Sequence, residues 1–283
     1  VRKNVDTAIR PFGDLLRHWR RQRRYSQLEL AVEAGISARH LSFLETGRAR
    51  PSRDMALRLA DRLDVPLRER NHLLLAAGYA PVHPERSLDS PRMRPARDVL
   101  DAVLTGHQPN PALVVDRRWD LLLANPAADL LLEGAAPELL RPPVNVLRLA
   151  LHPHGLAPRL VNLDEVRDHL LQRLAREASY TADTDLADLH RELSRYGAAR
   201  TSSDGARHDP THEIALPIRI RDGERVLSFL STITTFGTAL DVVLAELTVE
   251  AFYPADAGTA QALRQRSAGS GHLGAGSDAA RQP

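Results

Sequence analysis

Between Ser26 and Gly47 the chain encodes two short helices joined by a turn that few residue types permit. Ser26-Gln27-Leu28-Glu29 is a capping box, in which a serine hydroxyl and a glutamate carboxylate satisfy free amides at a helix start. Gly35 closes that helix where a left-handed residue lets the chain turn sharply. Ser37 caps the next helix and Gly47 ends it. Helices this short need neighbours to bury their apolar sides, and the flanking sequence supplies them. Ahead lies a helix starting near Pro11, with Phe12, Leu15, Leu16 and Trp19 on one face and Arg17, Arg20, Arg21 and Arg24 spread over the others. Leu28, Ala31 and Val32 are the expected apolar side of the capped helix, and Leu41 and Leu44 that of the next. Ser52 begins a fourth helix with Met55, Leu59 and Leu63 inward, and a fifth runs from about Leu67 to Ala77. The fold class expected over residues 1–80 is an all-α five-helix helix-turn-helix domain.

Charge agrees. Residues 1–80 hold 16 Lys+Arg against 9 Asp+Glu, whereas the remainder holds 22 against 27. A basic end on a mildly acidic body points to a polyanion at that end. In a helix-turn-helix pair the first helix braces the backbone and the second offers its N-terminal side chains to the major groove. The stretch "RYSQLELAVEAGISARHLSFLETGRARPS" resembles the Xre/lambda-repressor-like family over about residues 11–78. The resemblance implies that Gln27 grips a phosphate, that Ser37, Ala38, Arg39, His40 and Ser42 face the groove, and that Thr46, Arg48 and Arg50 approach the backbone. Arg39 is the foremost candidate for base reading, because arginine pairs bidentately with guanine.

Residues 81–95 contain four prolines and read as a semi-rigid linker. Val99, Leu100, Val103 and Leu104 then suggest a connecting helix, packed on its own domain or on a second subunit. Ala112–Val115, the polar turn Asp116-Arg117-Arg118 and Trp119–Leu123 read as a β-hairpin, and Asn125-Pro126 opens a helix carrying Leu130 and Leu131. Val166, Leu170 and Leu174 mark one later helix; Leu186, Leu189 and Leu193 mark another. Strand-like runs follow at Glu213–Ile220, Val226–Thr235 and Leu240–Thr248. Hairpin, helices and a late three-stranded meander describe a C-terminal α+β PAS-like domain over residues 96–264, with a disordered tail at 265–283.

The segments "HQPNPALVVDRRWDLLLANPAADLLL", "NVLRLALHPHGLAPRLVNLDEVRDHLL" and "FLSTITTFGTALDVVLAELTVEAFYPAD" resemble the ligand-binding domain of MmyB-like transcription regulators. That resemblance implies a sensor of a small apolar, fatty-acid-like molecule. Asn145, Arg148 and His152 share one side of a helix, and Ser231, Thr232 and Thr234 lie on a hydroxyl-rich strand; these six are the candidate ligand contacts. They also have structural alternatives: Asn145 as a helix cap, Arg148 in a salt bridge, the threonines chosen for β-propensity. Asn125 reads as a cap. No motif is matched between about Ser179 and His212.

Other chemistries are set aside. A Ser/Lys dyad lacks its base, since Lys3 is the only lysine. His212-Glu213 begins a zinc-peptidase string, but residue 216 is Leu; His152 and His154 gain no third ligand at a convincing spacing. No catalytic residue, metal or cofactor is expected. With no cysteine, no run of about 18 apolar residues and no secretory pattern, a cytoplasmic protein without a membrane span is expected. The expected partners are double-stranded DNA carrying a near-palindromic operator, the small ligand and a second copy of the chain. The competing reading is a DNA-anchored, antitoxin-like module that binds a protein instead of a ligand.

Overall fold

The computed structural model describes residues 10–196 and 216–273, which fall into two compact units. The first holds five helices: α1 (Phe12–Gln22), α2 (Gln27–Ala34), α3 (Ala38–Glu45), α4 (Arg53–Arg62) and α5 (Leu67–Ala76). Both halves of the Ser26–Glu29 capping box form, and Gly35 adopts φ 66°, a left-handed conformation that costs a glycine nothing. The Ser37 and Ser52 hydroxyls accept hydrogen bonds from the His40 and Met55 amides at the starts of α3 and α4. Leu16, Trp19, Leu30, Leu41, Leu44, Leu59, Leu63, Leu73 and Leu74 form the core. Helix α1 meets the end of α3 so closely that a Cβ on Gly13 would stand 2.6 Å from the carbonyl oxygens of Leu44 and Glu45.

Two details differ from expectation. Leu28 and Val32 are 65% and 71% exposed; Ala31 faces inward as expected, joined by Leu30 and Ala34. Both sets have helical spacing, and the small alanines of the second let α2 approach its neighbours closely. Arg20, assigned to a solvent face, is buried.

The second unit contains α6 (Arg94–Gly106), β1 (Ala112–Val115), β2 (Leu121–Ala124), α7 (Asp129–Leu132), α8 (Val146–Leu151), α9 (Leu163–Thr181), α10 (Thr184–Leu193), β3 (Ile218–Asp222) and β4 (Arg225–Thr235). After α11 (Val242–Ala245) come β5 (Thr248–Pro254) and α12 (Ala257–Leu273). The strands form one antiparallel sheet in the order β2-β1-β5-β4-β3, a PAS-like arrangement. All four β1 residues are buried, as a central strand covered on both faces requires. Leu100 and Leu104 of α6 turn inward while Val99 and Val103 stay exposed. The register sets Glu250 opposite both Leu113 and Ile233, and Ser231 opposite Phe252. These residues therefore share one face of the sheet, where Leu113, Phe229 and Phe252 join the core.

The strand expected at 240–248 lies at 248–254. The Asp241 carboxylate accepts the Val243 amide at 3.0 Å and turns the preceding residues into α11. That turn belongs to the first unit, which includes Thr238–Ala245. There the Val242 amide donates to the Pro84 carbonyl at 2.8 Å, and Arg86 pairs with the buried Asp241 at 3.2 Å. The proline-rich stretch is likewise held: Asn71 accepts the amides of Val82 and His83 and donates to the His83 carbonyl. From Leu88 onward it belongs to the second unit, and Pro95 already lies in α6. At the other end α12 continues to Leu273, so the first part of the expected tail is helical. Residues 197–215, including His212 and the start of the strand expected at 213, and 274–283 lie outside the described residues.

Candidate functional site

The first unit gathers its expected contact residues around the start of α3. Ser37 is the N-cap, and Ala38, Arg39, His40 and Ser42 follow within two turns. Arg39 is exposed, with its guanidinium carbon 5.3 Å from the Phe43 ring centre, a contact that orients the long side chain along the helix. Thr46 is the C-cap, its hydroxyl donating to the Ser42 carbonyl at 2.8 Å. Arg48 and Arg50 are exposed in the loop that follows. Gln27 opens α2, half-buried, and its amide nitrogen donates to Glu45 Oε2 at 2.7 Å.

Glu45 is the residue that sequence reasoning missed. It accepts from Arg20 at 2.6 and 3.1 Å as well as from Gln27, while Arg17 donates to its backbone carbonyl at 2.7 Å. Burial alone would raise its pKa, but the hydrogen bonds from Arg20 and Gln27 and the charges of Arg20 and Arg17 outweigh it and hold the carboxyl below its ordinary value. One carboxylate thus fixes the ends of three helices, and with them the side chain of Gln27.

In the second unit a cavity of about 80 Å³ lies between the sheet and helices α7–α9. Seventeen side chains line it; sixteen are apolar, among them Leu113, Leu131, Val146, Ala150, Leu170 and Phe252, and the other is Glu250. A water needs on the order of 10–15 Å³ of such space, so the cavity has room for roughly six heavy atoms.

None of the six residues singled out as ligand contacts lines this cavity. Asn145 caps α8 through the Arg148 amide and donates to the Arg118 carbonyl and Asp120 carboxylate. Arg148 grips Glu192 with two hydrogen bonds of 2.8 Å, which lowers the glutamate pKa. His152 packs edge-on against Tyr196 with ring centres 5.2 Å apart. Thr232 and Thr234 are exposed. Ser231 comes nearest, opposite the cavity-lining Phe252 on the same face of the sheet as Glu250. Asn125 makes no side-chain cap; buried, it accepts the Ala112 amide and donates to the carbonyls of Leu104 and Asn110.

A family model described as helix-turn-helix domain matches residues 11–73. A second, described as MmyB-like transcription regulator ligand binding domain, matches residues 96–265. The chain belongs to the MmyB-like transcription regulators. A comparison with curated proteins returns no match. As an MmyB-like regulator it is a DNA-binding protein with a ligand-binding domain, and the apolar cavity falls within the matched segment. Among the described residues, no helix of this MmyB-like regulator is long and apolar enough to cross a membrane.

Proposed function

We propose that this chain is a cytoplasmic, homodimeric transcription regulator whose DNA affinity responds to a small apolar, fatty-acid-like ligand held in the second unit. The observation that carries the reading is the cavity itself: a small, almost wholly apolar space inside the segment matched as a ligand-binding domain. At about 80 Å³ it is well below the ~300 Å³ of a drug-sized site. It accepts a short chain or a small ring.

Arg39 reads a base pair, Ser37, Ala38, His40 and Ser42 complete the groove-facing surface, and Gln27, Thr46, Arg48 and Arg50 hold the sugar-phosphate backbone. A dimer sets two such helices about 34 Å apart on a near-palindromic operator. Selection of bound DNA from a random pool, repeated with and without short straight-chain aliphatic probes, tests the whole reading. A selected sequence with two related half-sites, bound with altered affinity when a probe is present, is the expected result. Half-sites without any probe effect would favour a DNA-anchored module that binds a protein.

A further inference from the structure

The connection between β4 and β5 leaves the sheet and returns to it at one place, since Thr235 and Thr248 are register partners. Between them, Thr238–Ala245 belongs to the first unit. Its hold there is double. Val242 is fully buried and its amide donates to the Pro84 carbonyl, while the buried Asp241 carboxylate accepts from the Arg86 side chain at 3.2 Å and from the Arg86 amide at 3.4 Å. The stretch that supplies these partners is fixed to α5 by Asn71; α5 packs on α1 and α4, and α1 on α3. The two ends of the excursion are unlike. On the β4 side Gly237 and Thr238 are exposed. On the β5 side the return is taut: Leu247 is buried, and Glu246 lies 3.9 Å from Arg117, which also pairs with Asp183 at the start of α10. From Ala245 to Thr248 the chain can span about 10 Å at most. Strand β5 then runs on between β1 and β4 and gives Glu250 and Phe252 to the cavity wall. The crossing at Ser87–Leu88 has no such continuation, because none of residues 88–112 lines the cavity.

We infer that Thr238–Ala245 is the strap through which occupancy of the cavity reaches the DNA-binding unit, pulled from its β5 end, and that Asp241 and Val242 are the positioning residues that anchor it. A ligand shifts an equilibrium only as far as it interacts differently with the two arrangements. Here the difference is felt at Glu250 and Phe252, on a strand whose start continues within a few residues into the first unit. The taut return passes the preferred position of β5 to α11. From there Pro84, Arg86 and Asn71 pass it to α5, and the packing of α5 on α1 passes it to the helix that holds α3. A loop that served its own sheet alone needs no buried carboxylate, since burying one is costly without partners.

This inference rests on the proposed ligand response of DNA binding, and the test separates the two. Gly-Ser-Gly-Ser is inserted after Ala245 in one full-length variant and after Gly237 in another; each insertion leaves the contacts of Asp241 and Val242 in place. A third variant, Asp241→Asn, weakens the anchor yet can still accept the Val243 amide. Affinity for the selected operator is measured with and without pentan-1-ol or butanoate. Probe affinity is measured calorimetrically with and without operator, because coupling is reciprocal. The insertion after Ala245 is expected to keep both separate affinities within about threefold of the unaltered chain. It should reduce their mutual effect from about fivefold or more, the range of coupled sites, to under about twofold. The insertion after Gly237 should keep most of the effect, and Asp241→Asn should lose at least about half of it on a logarithmic scale. A strap that only completes the fold of the first unit would lower stability or basal operator affinity and leave the effect intact in all three variants. That result, or equal loss in both insertions, overturns the inference while the regulatory reading stands. If the insertion after Ala245 unfolds the first unit, Asp241→Asn decides alone. If the unaltered chain binds a probe without any change in operator affinity, the regulatory reading fails and the strap with it.

Discussion

The guanidinium of Arg20 and the carboxylate of Glu45 meet in the core of the first unit, Nε to Oε1 at 2.6 Å and the terminal nitrogen to Oε2 at 3.1 Å. The pair joins α1 to the last turn of α3, and Gln27 at the start of α2 shares the same carboxylate. The helix that offers side chains to DNA is thereby tied to the two helices behind it. Removing one partner of a buried pair costs about 3–5 kcal/mol, because the other charge is left uncompensated. Glu45→Gln is expected to destabilise the first unit by that order. Urea unfolding followed through Trp19, which is buried in the same unit, reads the loss. A change below about 0.5 kcal/mol would show that the pair contributes nothing net.

The two buried glutamates respond to acid in opposite senses. Glu45 has a lowered pKa, so its stabilisation is complete above the ordinary glutamate value of about 4.3 and is lost as pH falls through its folded value. Glu250 has a raised pKa through burial, so its folded form takes up a proton more readily and its destabilising effect grows as pH rises above about 4.3. Unfolding between about pH 3 and 7 checks both. Trp19 reports one unit and Trp119 the other, the only two tryptophans in the chain. Relative to wild type, Glu45→Gln should flatten the acid loss in the first unit, and Glu250→Gln should remove a decline toward neutrality in the second.

Specificity and affinity should separate on the DNA face. Arg39→Ala is expected to lose about 1–3 kcal/mol at one base-pair position and to relax preference there. Gln27→Ala should weaken binding evenly across sequences, and binding should fall steeply with salt as phosphate contacts release counterions. Fluorescence anisotropy on the selected operator and its single-base variants distinguishes the two. Equal operator affinity for both mutants and wild type would refute the assignment of α3 as the reading helix.

Filling the cavity should silence it. Ala150 lines the space from α8, and Ala150→Leu places three more carbons inside it. A substitution into existing space should change stability by less than about 2 kcal/mol. The response of DNA affinity to a short straight-chain aliphatic probe should vanish. A response that survives at full size would place the ligand elsewhere.

Local rules carried the sequence reading a long way. The serine caps of α2, α3 and α4 and the left-handed Gly35 are each decided within four or five residues, and all form. Asn145 and Arg148 are positions where local spacing fits two roles. Their helical spacing allowed either a polar face turned to a ligand or a cap and a salt bridge; the fold forms the cap and the bridge, with Glu192, 44 residues away, as a partner no local rule names. Arg20 and Glu45 were likewise invisible as a pair, since nothing local links positions 25 residues apart. For α2, two apolar stripes of equal periodicity competed, and the choice of Leu30, Ala31 and Ala34 depends on how closely neighbouring helices approach. The cavity is assembled from seventeen side chains distributed over both sheet and helices, so no single motif encodes it. Glu250 alone left a trace, as an acidic residue at a core position of β5 in the run Thr248–Pro254.

Thr238–Ala245 completes the first unit from the far side of β4. On the ribosome this has a consequence for timing. The five helices emerge first, but the α11 turn that carries Asp241 to Arg86 and Val242 to Pro84 is translated more than 150 residues after Ser87. At about 5–20 residues per second that is a delay of roughly 8–30 s. The amino-terminal domain is begun first and finished only when most of the second has been made.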